Sequence, residues 1–333
     1  MRVLELFSGI GGMHFALSES NVTFEIVTAI DINTTANMVY EYNFPKTKVL
    51  NKNIQGLTVS FINNLNVDTI LMSPPCQPFT RNGLKKDIED SRSCAFLHLL
   101  DMLPQLNIQN ILLENVKGFE VSNMRHLLVQ QLEKSQFTYQ EFILSPHQFG
   151  IPNTRHRYYC LAKKLPAQFS FQPGQIDETT SLFKNINSLS PISQFLENDI
   201  DLVPYLLSEK ILKKYAIILD ICFSYSTRSC CFTKAYGRYI EGTGSIFTDK
   251  SNKEVDQVYQ KIKLIDSDCE TYVEELKKLN LRYFAPIEVA HLMSFPNNFS
   301  FPNISNKQKY MLLGNSINVK VVSELIKLLN TYL

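Results

Sequence analysis

Cys76 stands in the sequence context most suited to chemistry, the segment SPPCQPFT at residues 73–80. The apolar residues 69–72 before it predict a short buried strand. Three prolines within five positions then exclude helix and interior strand pairing, because each lacks an N–H and fixes φ. We therefore predict Cys76 on a rigid loop at the carboxyl end of a strand, where open α/β sheets bind ligands. A small buried cysteine is the alternative, and it would need no such loop.

A turn with three glycines follows the first predicted strand, residues 2–6. Gly9, Gly11 and Gly12 allow the backbone to approach a ligand closely and leave the next helix N-terminus facing it. A tight turn without a ligand is the alternative. The dinucleotide fingerprint G-x-G-x-x-G requires a glycine where His14 stands, which disfavours a nicotinamide-dependent dehydrogenase.

Two carboxylates end other predicted strands. Asp31 follows the second strand and can accept hydrogen bonds from both ribose hydroxyls of a nucleoside, or else cap the helix predicted over 34–43. Glu114 ends the strand predicted over 110–114, where a salt-bridged strand end is the alternative. Because parallel strands share one carboxyl edge, we expect both carboxylates near Cys76.

Arg155 and Arg157 flank His156 at the start of the strand predicted over 158–162. Alternate residues of a strand point the same way, so the pair suits a phosphate or a carbonyl group. Surface solubility is the alternative explanation for both side chains.

Taken in chain order, these segments resemble the motif series of the cytosine-5 methyltransferases. The matching segments are residues 7–12, 73–81, 114–116, 155–157 and 314–319. The resemblance implies an α/β fold with a doubly wound, mostly parallel sheet, the S-adenosylmethionine-dependent methyltransferase fold, and a smaller inserted target-recognition domain. It also implies S-adenosylmethionine as cofactor, S-adenosylhomocysteine as product, and no metal.

The resemblance assigns roles to individual residues. As in the family, Cys76 would add to C6 of cytosine, Glu114 would bond N3, and Arg155 and Arg157 would hold O2 and a phosphate. The cofactor-binding positions would be Phe7, Gly9, Ile10, Gly11, Gly12, Asp31, Ile32, Ile54, Gln55, Ser73, Asn315 and Ser316. The chain departs from the family pattern at Asn53, often acidic there, and at Asn153, elsewhere glutamine.

Residues 229–244 resemble one branch of the family, which methylates transfer RNA although it is built like a DNA enzyme. The branch marker is the triplet 231–233, and the candidate substrate-binding residues are Cys231, Phe232, Thr233, Lys234 and Arg238. Basic and aromatic residues also interleave over 204–240, which suits RNA with exposed bases, although a solvated cationic helix would explain the lysines. The resemblance implies a transfer RNA partner, the anticodon stem-loop of tRNA-Asp, with cytosine 38 as the target.

Two further functions remain open. A DNA cytosine-5 methyltransferase would share every catalytic residue, and only the segment around Cys231 disfavours it. A nucleic-acid-binding protein without activity is disfavoured because Cys76, Glu114 and Arg157 are all present.

The composition is that of an ordinary globular protein, with 333 residues, 44% hydrophobic and 20% charged. The net charge of +1 excludes a globally basic nucleic-acid binder, so any RNA surface must be a local patch. The seven cysteines form neither a C-x-x-C pair nor a zinc spacing, which predicts free thiols in a reducing compartment. No signal peptide or membrane span is recognisable. We expect a soluble monomer in the cytoplasm, with the nucleus as a second location and no membrane partner.

The regular alternation of strands and helices ends after Lys164. We therefore predict a catalytic, cofactor-binding domain from residues 1–165 plus 308–333, and a target-recognition domain from 166–307. A C-terminal helix over 319–329 would return to the first domain. Ser316 would then close the cofactor pocket, or simply cap that helix.

Overall fold

The computed structural model describes residues 1–75, 93–183 and 188–331. Its main element is a seven-stranded sheet. Its strands are β1 (Arg2–Leu6), β2 (Glu25–Asp31), β3 (Val49–Asn51), β4 (Thr69–Met72), β5 (Asn110–Val116), β6 (Phe137–Leu144) and β7 (Arg157–Lys164). Their order across the sheet is β3-β2-β1-β4-β5-β7-β6. Strands β1 to β5 are parallel to one another, and β7 runs antiparallel to both β5 and β6. The predicted α/β, mostly parallel fold is confirmed.

The described residues form eleven α-helices. In chain order they are α1 (Gly12–Glu19), α2 (Thr34–Asn43), α3 (Val59–Asn64), α4 (Cys94–Met102), α5 (Asn123–Lys134), α6 (Glu209–Tyr215), α7 (Asn252–Ile262), α8 (Glu270–Lys277), α9 (Pro286–Leu292), α10 (Asn306–Gly314) and α11 (Val319–Leu329). Some of them, such as α2, α5 and α11, pack on the large sheet, and others pack with one another. Within the described ranges, no helix is long and apolar enough to cross a membrane.

The two faces follow from the alternation of side chains along each strand. In β1, Val3 packs into one buried cluster, whereas Leu4 and Leu6 pack into the other. β5 behaves in the same way, with Leu112 on the first side and Leu113 on the second. Because both faces are buried, the parallel strands read as continuous apolar runs.

A second, three-stranded sheet lies within the stretch predicted as the target-recognition domain. It contains β8 (Ile221–Cys222), β9 (Ile246–Phe247) and β10 (Arg282–Tyr283) in the order β10-β9-β8. Its core residues, Phe232 and Phe284 among them, belong to the same buried cluster as Val3. The small sheet is thus packed continuously with one face of the large sheet, and the exact domain boundaries stay a prediction.

The C-terminal helix α11 has the predicted bounds and packs against α1. Its N-cap is Asn318, whose side chain accepts a hydrogen bond from the Val321 N–H at 3.1 Å. Ser316 is therefore not the cap of this helix. The segment 314–317 instead lies against the start of α1, directly after the glycine turn. The approach is close: a Cβ added to Gly12 would lie 2.8 Å from Ile317 and 3.0 Å from Ser316.

Candidate active site

The turn after β1 has the backbone shape that its glycines suggested. Gly9 and Gly11 have φ values of +54° and +84°, and Phe7 has +53°. A Cβ on Gly11 would lie 2.9 Å from Phe44, so only glycine fits there. A Cβ on Gly9 would meet no atom within 4 Å, because this part of the turn faces open space. The turn thus exposes its backbone at Gly9 to a possible ligand.

Asp31 holds this turn in place. One of its carboxylate oxygens accepts from the Gly9 N–H at 2.8 Å, and the other accepts from the Asn33 N–H at 2.8 Å. The side chain of Asn33, not of Asp31, caps α2 by accepting from Thr35 and Ala36. The helix-cap alternative for Asp31 is therefore wrong. Each carboxylate oxygen still has a free acceptor site for a hydroxyl group.

A cleft of about 380 Å³ opens at the carboxyl edge of the sheet, beside this turn. It collects most of the residues predicted to bind the cofactor or the base, which are Phe7, Gly9, Ile10, Gly12, Asp31, Ile32, Ser73, Glu114, Arg155, Arg157, Asn315 and Ser316. The hydroxyl oxygen of Ser8 is buried at its wall without a hydrogen-bond partner among the described residues. A polar ligand in the cleft would satisfy that oxygen, so the cleft fits a group such as the methionine end of S-adenosylmethionine.

The start of the Cys76 loop is anchored to both neighbouring strand ends. Ser73 donates to the Phe7 carbonyl at 3.3 Å, and Asn115 donates to the Pro74 carbonyl at 3.4 Å. Pro75 lines the cleft. Cys76 itself, the predicted nucleophile, lies outside the described residues.

Three predicted cofactor-binding positions, Ile54, Gln55 and Gly11, do not line the cleft. Ile54 is 4% exposed and packs in the core beneath the sheet edge. Gln55 points its side-chain oxygen at the Asn53 amide, at 3.0 Å, on the surface. A short 3-10 turn over Ile54–Gly56 turns both side chains away. Gly11 also does not line the cleft, since Phe44 and Tyr40 pack against its α-carbon. These positions do not contact a ligand in the cleft through their side chains.

Glu114 and Arg157 form an ion pair on the wall of the cleft, with the Arg157 Nε 3.3 Å from a Glu114 oxygen. Glu114 is buried, and burial raises the pKa of its carboxyl group above the usual value. The charges of Arg157 and Arg155 oppose this rise only in part. The geometry therefore favours a carboxyl group that can carry a proton and donate it to a bound base.

Arg155 contacts protein atoms on both sides of the cleft. Its guanidinium donates to the Phe232 carbonyl at 3.2 Å and the Gly314 carbonyl at 3.1 Å, and also to the Ser316 carbonyl. It is 3% exposed. Arg155 thus joins the segment around Phe232 to the C-terminal segment 314–316 and so shapes the cleft, and its contact with the base stays a prediction.

Both arginines converge on the thiol of Cys231. Arg155 lies 3.4 Å from its sulfur and Arg157 lies 4.0 Å from it. Burial alone would raise the pKa of this thiol, but the two guanidinium groups hold it below its usual value. Cys231 thus contacts both arginines of the cleft wall but does not itself line the cleft, and its role in substrate binding stays a prediction.

The rest of the predicted substrate segment divides into core and surface. Phe232 is 2% exposed, and its ring packs edge-on against Tyr236 and Phe284. The Phe232 ring is therefore part of the core and is not exposed to a substrate. Lys234 and Arg238 are exposed, as an RNA contact requires.

A second cavity of about 540 Å³ adjoins the first. The two cavities share four wall residues, Val116, Arg157, Gly314 and Asn315. Thr233 and Lys234 line the second cavity, together with Tyr215, Tyr239 and Glu241, which the sequence did not single out as site residues. An alternation of aromatic and charged residues near residue 240 is the signal that was available for these positions.

Sequence reasoning also missed a buried polar chain beneath the glycine turn. The Tyr40 hydroxyl donates to a Glu5 oxygen at 2.7 Å and lies 3.0 Å from the His14 Nδ1. Burial raises the pKa of Glu5 to about 8, although the Tyr40 hydrogen bond opposes this, and burial lowers the pKa of His14 to about 4. An acidic residue within the apolar strand 2–6 was the signal that could have predicted this chain. Among the described residues, no group of three or more His, Cys, Asp or Glu could hold a metal.

Comparison with known proteins gives one consistent family. The family described as C-5 cytosine-specific DNA methylase matches residues 1–330. A Spodoptera frugiperda protein named tRNA (cytosine(38)-C(5))-methyltransferase is 51% identical over 98% of both chains. A Homo sapiens protein of the same name is 44% identical over 99% of both chains. The crystal structure of a Spodoptera frugiperda DNMT2 mutant superimposes with a TM-score of 0.92, at 50% identity and 99% coverage of both chains.

Proposed function

This chain belongs to the family of C-5 cytosine-specific DNA methylases, and from that premise we propose that it methylates C5 of a cytosine in transfer RNA. The observation that carries the reaction is the cleft at the carboxyl edge of the sheet. There the Asp31-braced glycine turn, the start of the Cys76 loop and the buried Glu114 line one volume. A donor of methyl groups and a pyrimidine base can meet in such a volume.

S-adenosylmethionine is the cofactor that this proposal requires, and when bound it supplies a methyl group activated by a sulfonium. The residues that would hold it are those of the glycine turn, Asp31 for the ribose hydroxyls, and the buried Ser8 hydroxyl for the polar methionine end. Asn315 and Ser316 close the same cleft from the far end of the chain. Ile54 and Gln55 are not included, because their side chains lie elsewhere.

The cytosine ring must be activated before C5 can accept a methyl group. A thiolate supplies this activation by adding to C6, because the addition leaves an enamine with electron density at C5. We propose Cys76 for this addition on its sequence context. Negative charge then develops toward N3 and O2. Burial raises the pKa of Glu114, which favours a proton on this carboxyl group, and a protonated Glu114 would donate to N3 and stabilise that charge. C5 would then bond to the methyl carbon, with departure of the sulfonium sulfur as the thioether of S-adenosylhomocysteine. Loss of the C5 proton to water, departure of the Cys76 thiolate from C6 and return of the N3 proton to Glu114 would complete the reaction.

The two arginines divide the remaining work. Arg157 pairs with Glu114 and faces both cavities, so it is the guanidinium that would contact the base at O2 or an adjoining phosphate. Arg155 would position the walls, since its donors go to the carbonyls of Phe232, Gly314 and Ser316. Of the two arginines, only Arg157 touches the substrate in this scheme.

Transfer RNA is the substrate that the relatives support, because proteins aligned along the whole chain carry that activity in their names. We propose cytosine 38 as the target, in the anticodon loop of tRNA-Asp. A loop already presents unstacked bases, so less energy is needed to extrude one than in duplex DNA. The location in the cytoplasm and nucleus and the monomeric state remain predictions.

The test is methyl incorporation from tritiated S-adenosylmethionine into tRNA and into duplex DNA, measured side by side. We expect label in tRNA at C5 of cytosine 38 and background counts in DNA. Cys76→Ala should abolish the incorporation and leave cofactor affinity within a few-fold of wild type. Label in DNA alone would support a DNA cytosine-5 methyltransferase and contradict the proposed substrate. Incorporation by Cys76→Ala at the wild-type rate would remove Cys76 as the nucleophile.

A further inference from the structure

We propose that the second cavity holds an unstacked nucleobase of the RNA, adjacent to the target cytosine, and that Tyr239 and Glu241 recognise it. This inference rests on the proposed RNA substrate and adds a second base-binding site to it. The occupant is a base with an exocyclic amino group.

The location of the cavity argues for a neighbouring nucleotide. Glu114 lines the first cleft and does not line the second cavity, so the target cytosine belongs with the first. Arg157 and Asn315 form the partition between the two. An RNA strand that delivers a cytosine to Glu114 therefore has its next nucleotide at the mouth of the second cavity.

The lining of the cavity argues for a base rather than a phosphate. Val116, Ala235 and Ile240 supply apolar side chains, and Tyr215 and Tyr239 supply aromatic rings. Glu241 would repel a phosphate group whereas Arg157 and Lys234 would attract one, so the apolar and aromatic walls are what favour a base. Aromatic and apolar walls around a few polar groups are typical of sites for flat, partly polar ligands, and every nucleobase has a π-face that stacks on tyrosine.

Tyr239 has the exposure and the support that a stacking residue needs. It is 60% exposed at the cavity, and the Arg238 guanidinium lies 5.4 Å from the centre of its ring. Its backbone is fixed, because the Tyr239 N–H donates to the Ala235 carbonyl at 3.1 Å and its carbonyl accepts from the Thr243 hydroxyl at 2.6 Å. Because the backbone holds this aromatic ring in an exposed position, a base can stack on the ring with little loss of conformational entropy.

Glu241 supplies the selectivity. A carboxylate only accepts hydrogen bonds, and so it favours bases whose edge presents an amino group: adenine, cytosine or guanine. Uracil has a carbonyl oxygen where cytosine has its amino group, and its N3–H lies between two carbonyl oxygens that the carboxylate would repel. Lys214 and Lys234 lie near the same mouth and can neutralise the phosphates on either side.

The first experiment is a coupling test with modified RNA. Binding of full-length tRNA transcripts is measured for wild type, Tyr239→Ala and Tyr225→Ala. Three transcripts are used: the intact RNA, one with an abasic nucleotide on the 5′ side of the target cytosine, and one with an abasic nucleotide on its 3′ side. Tyr225 is the matched control, because it is 59% exposed in the same domain and lines neither cavity. Tyr239→Ala should bind intact tRNA about 5- to 150-fold more weakly. With one of the abasic transcripts, wild type should weaken to the same extent, and Tyr239→Ala should add no further loss.

A loss from Tyr239→Ala of equal size on intact and on both abasic transcripts would overturn the proposal. Thermal melting of the variants checks that the loss is in binding and not in folding. The second experiment replaces the base identified in this way by uracil. Wild type should discriminate against uracil, and Glu241→Gln should lose most of that discrimination, because an amide also donates. Unchanged discrimination in Glu241→Gln would remove the carboxylate from recognition.

Parallel methylation assays separate this inference from the function on which it rests. If wild type methylates intact tRNA but shows no coupling at Tyr239, only the second base site fails. If wild type neither binds nor methylates tRNA, the proposed function fails and this inference fails with it.

Discussion

Replacing Glu5 by glutamine should remove a pH dependence of stability that originates directly beneath the glycine turn. Glu5 is fully buried in β1, and burial raises its pKa from 4.5 to about 8. The folded protein therefore keeps a proton on this carboxyl group up to about pH 8, whereas the unfolded chain releases it above about pH 4.5. Unfolding releases that proton, and so the free energy of unfolding falls as the pH rises through this window.

His14 has the opposite effect in part of the same window. Burial lowers its pKa from 6.5 to about 4. Between pH 4 and 6.5, His14 is therefore protonated in the unfolded chain and neutral in the folded chain. Its contribution to stability is complete above pH 6.5 and is lost as the pH falls toward 4. The two groups oppose each other below pH 6.5, which leaves Glu5 acting alone from there to pH 8. The charge nearest to them is Asp31, which adds to the rise at Glu5.

The expected size follows from the slope of about 1.4 kcal/mol for each pH unit and each proton. Between pH 6.5 and 8, Glu5 should lower the wild-type free energy of unfolding by about 2 kcal/mol. Glu5→Gln keeps an acceptor for the Tyr40 hydroxyl and has no proton to lose, so its free energy of unfolding should gain that amount relative to wild type.

Urea unfolding at several pH values, followed by circular dichroism, measures this difference. Glu25→Gln is the matched control, because it removes one carboxylate from the exposed start of β2, where it pairs with Arg2. Parallel profiles for wild type and Glu5→Gln between pH 6.5 and 8 would refute the assignment of a protonated Glu5.

Three further predictions concern the cleft and its surroundings. Asp31→Ala should weaken S-adenosylhomocysteine binding in calorimetry by roughly 10- to 150-fold, because a charged acceptor of about 1.5–3 kcal/mol is removed. Arg155→Lys should lower the free energy of unfolding in urea by about 2–4 kcal/mol, because one ammonium cannot reach the carbonyls that the guanidinium fork joins. Lys234→Ala with Arg238→Ala should flatten the salt dependence of tRNA binding by about 0.7 for each phosphate that is no longer neutralised, with Lys253→Ala on α7 as the exposed control.

Each of these has an outcome that contradicts it. Unchanged calorimetric affinity in Asp31→Ala would limit the aspartate to holding the turn through Gly9 and Asn33. Wild-type stability of Arg155→Lys would mean that the carbonyls of Phe232 and Gly314 find other donors. If the double variant kept the wild-type salt dependence of tRNA binding, the RNA would not bind at residues 234–238.

The parts of the fold that the sequence predicts well are those decided by local pattern. Strand β1 has its predicted bounds because its apolar residues are buried on both faces of a parallel sheet. The glycine turn was predictable for a similar reason, since Gly11 has no room for a side chain. Helix α2 also has its predicted bounds, although its cap is Asn33 and not Asp31.

The parts that the sequence could not predict are those decided by distant contacts. The strands of the second sheet have only two residues each, too few to produce a periodic pattern, and they form because tertiary packing orders them. Because Phe232 lies in a basic and aromatic segment, the sequence suggests that its ring stacks on an RNA base. It is buried because Gly244 leaves room for it, since a Cβ there would lie 2.7 Å from its ring.

Arg155 illustrates the limit most clearly, since a pair of arginines on one strand entry suggests a clamp for substrate. Arg155 instead donates to two carbonyls of the protein, that of Phe232 and that of Gly314 near the C-terminus. These acceptors lie 77 and 159 residues away in the chain, so no local pattern could distinguish Arg155 from Arg157. The same contact explains why the cleft needs both ends of the sequence. Arg155 bonds the carbonyls of Gly314 and Ser316, on either side of Asn315, and so it fixes the wall that separates the two cavities.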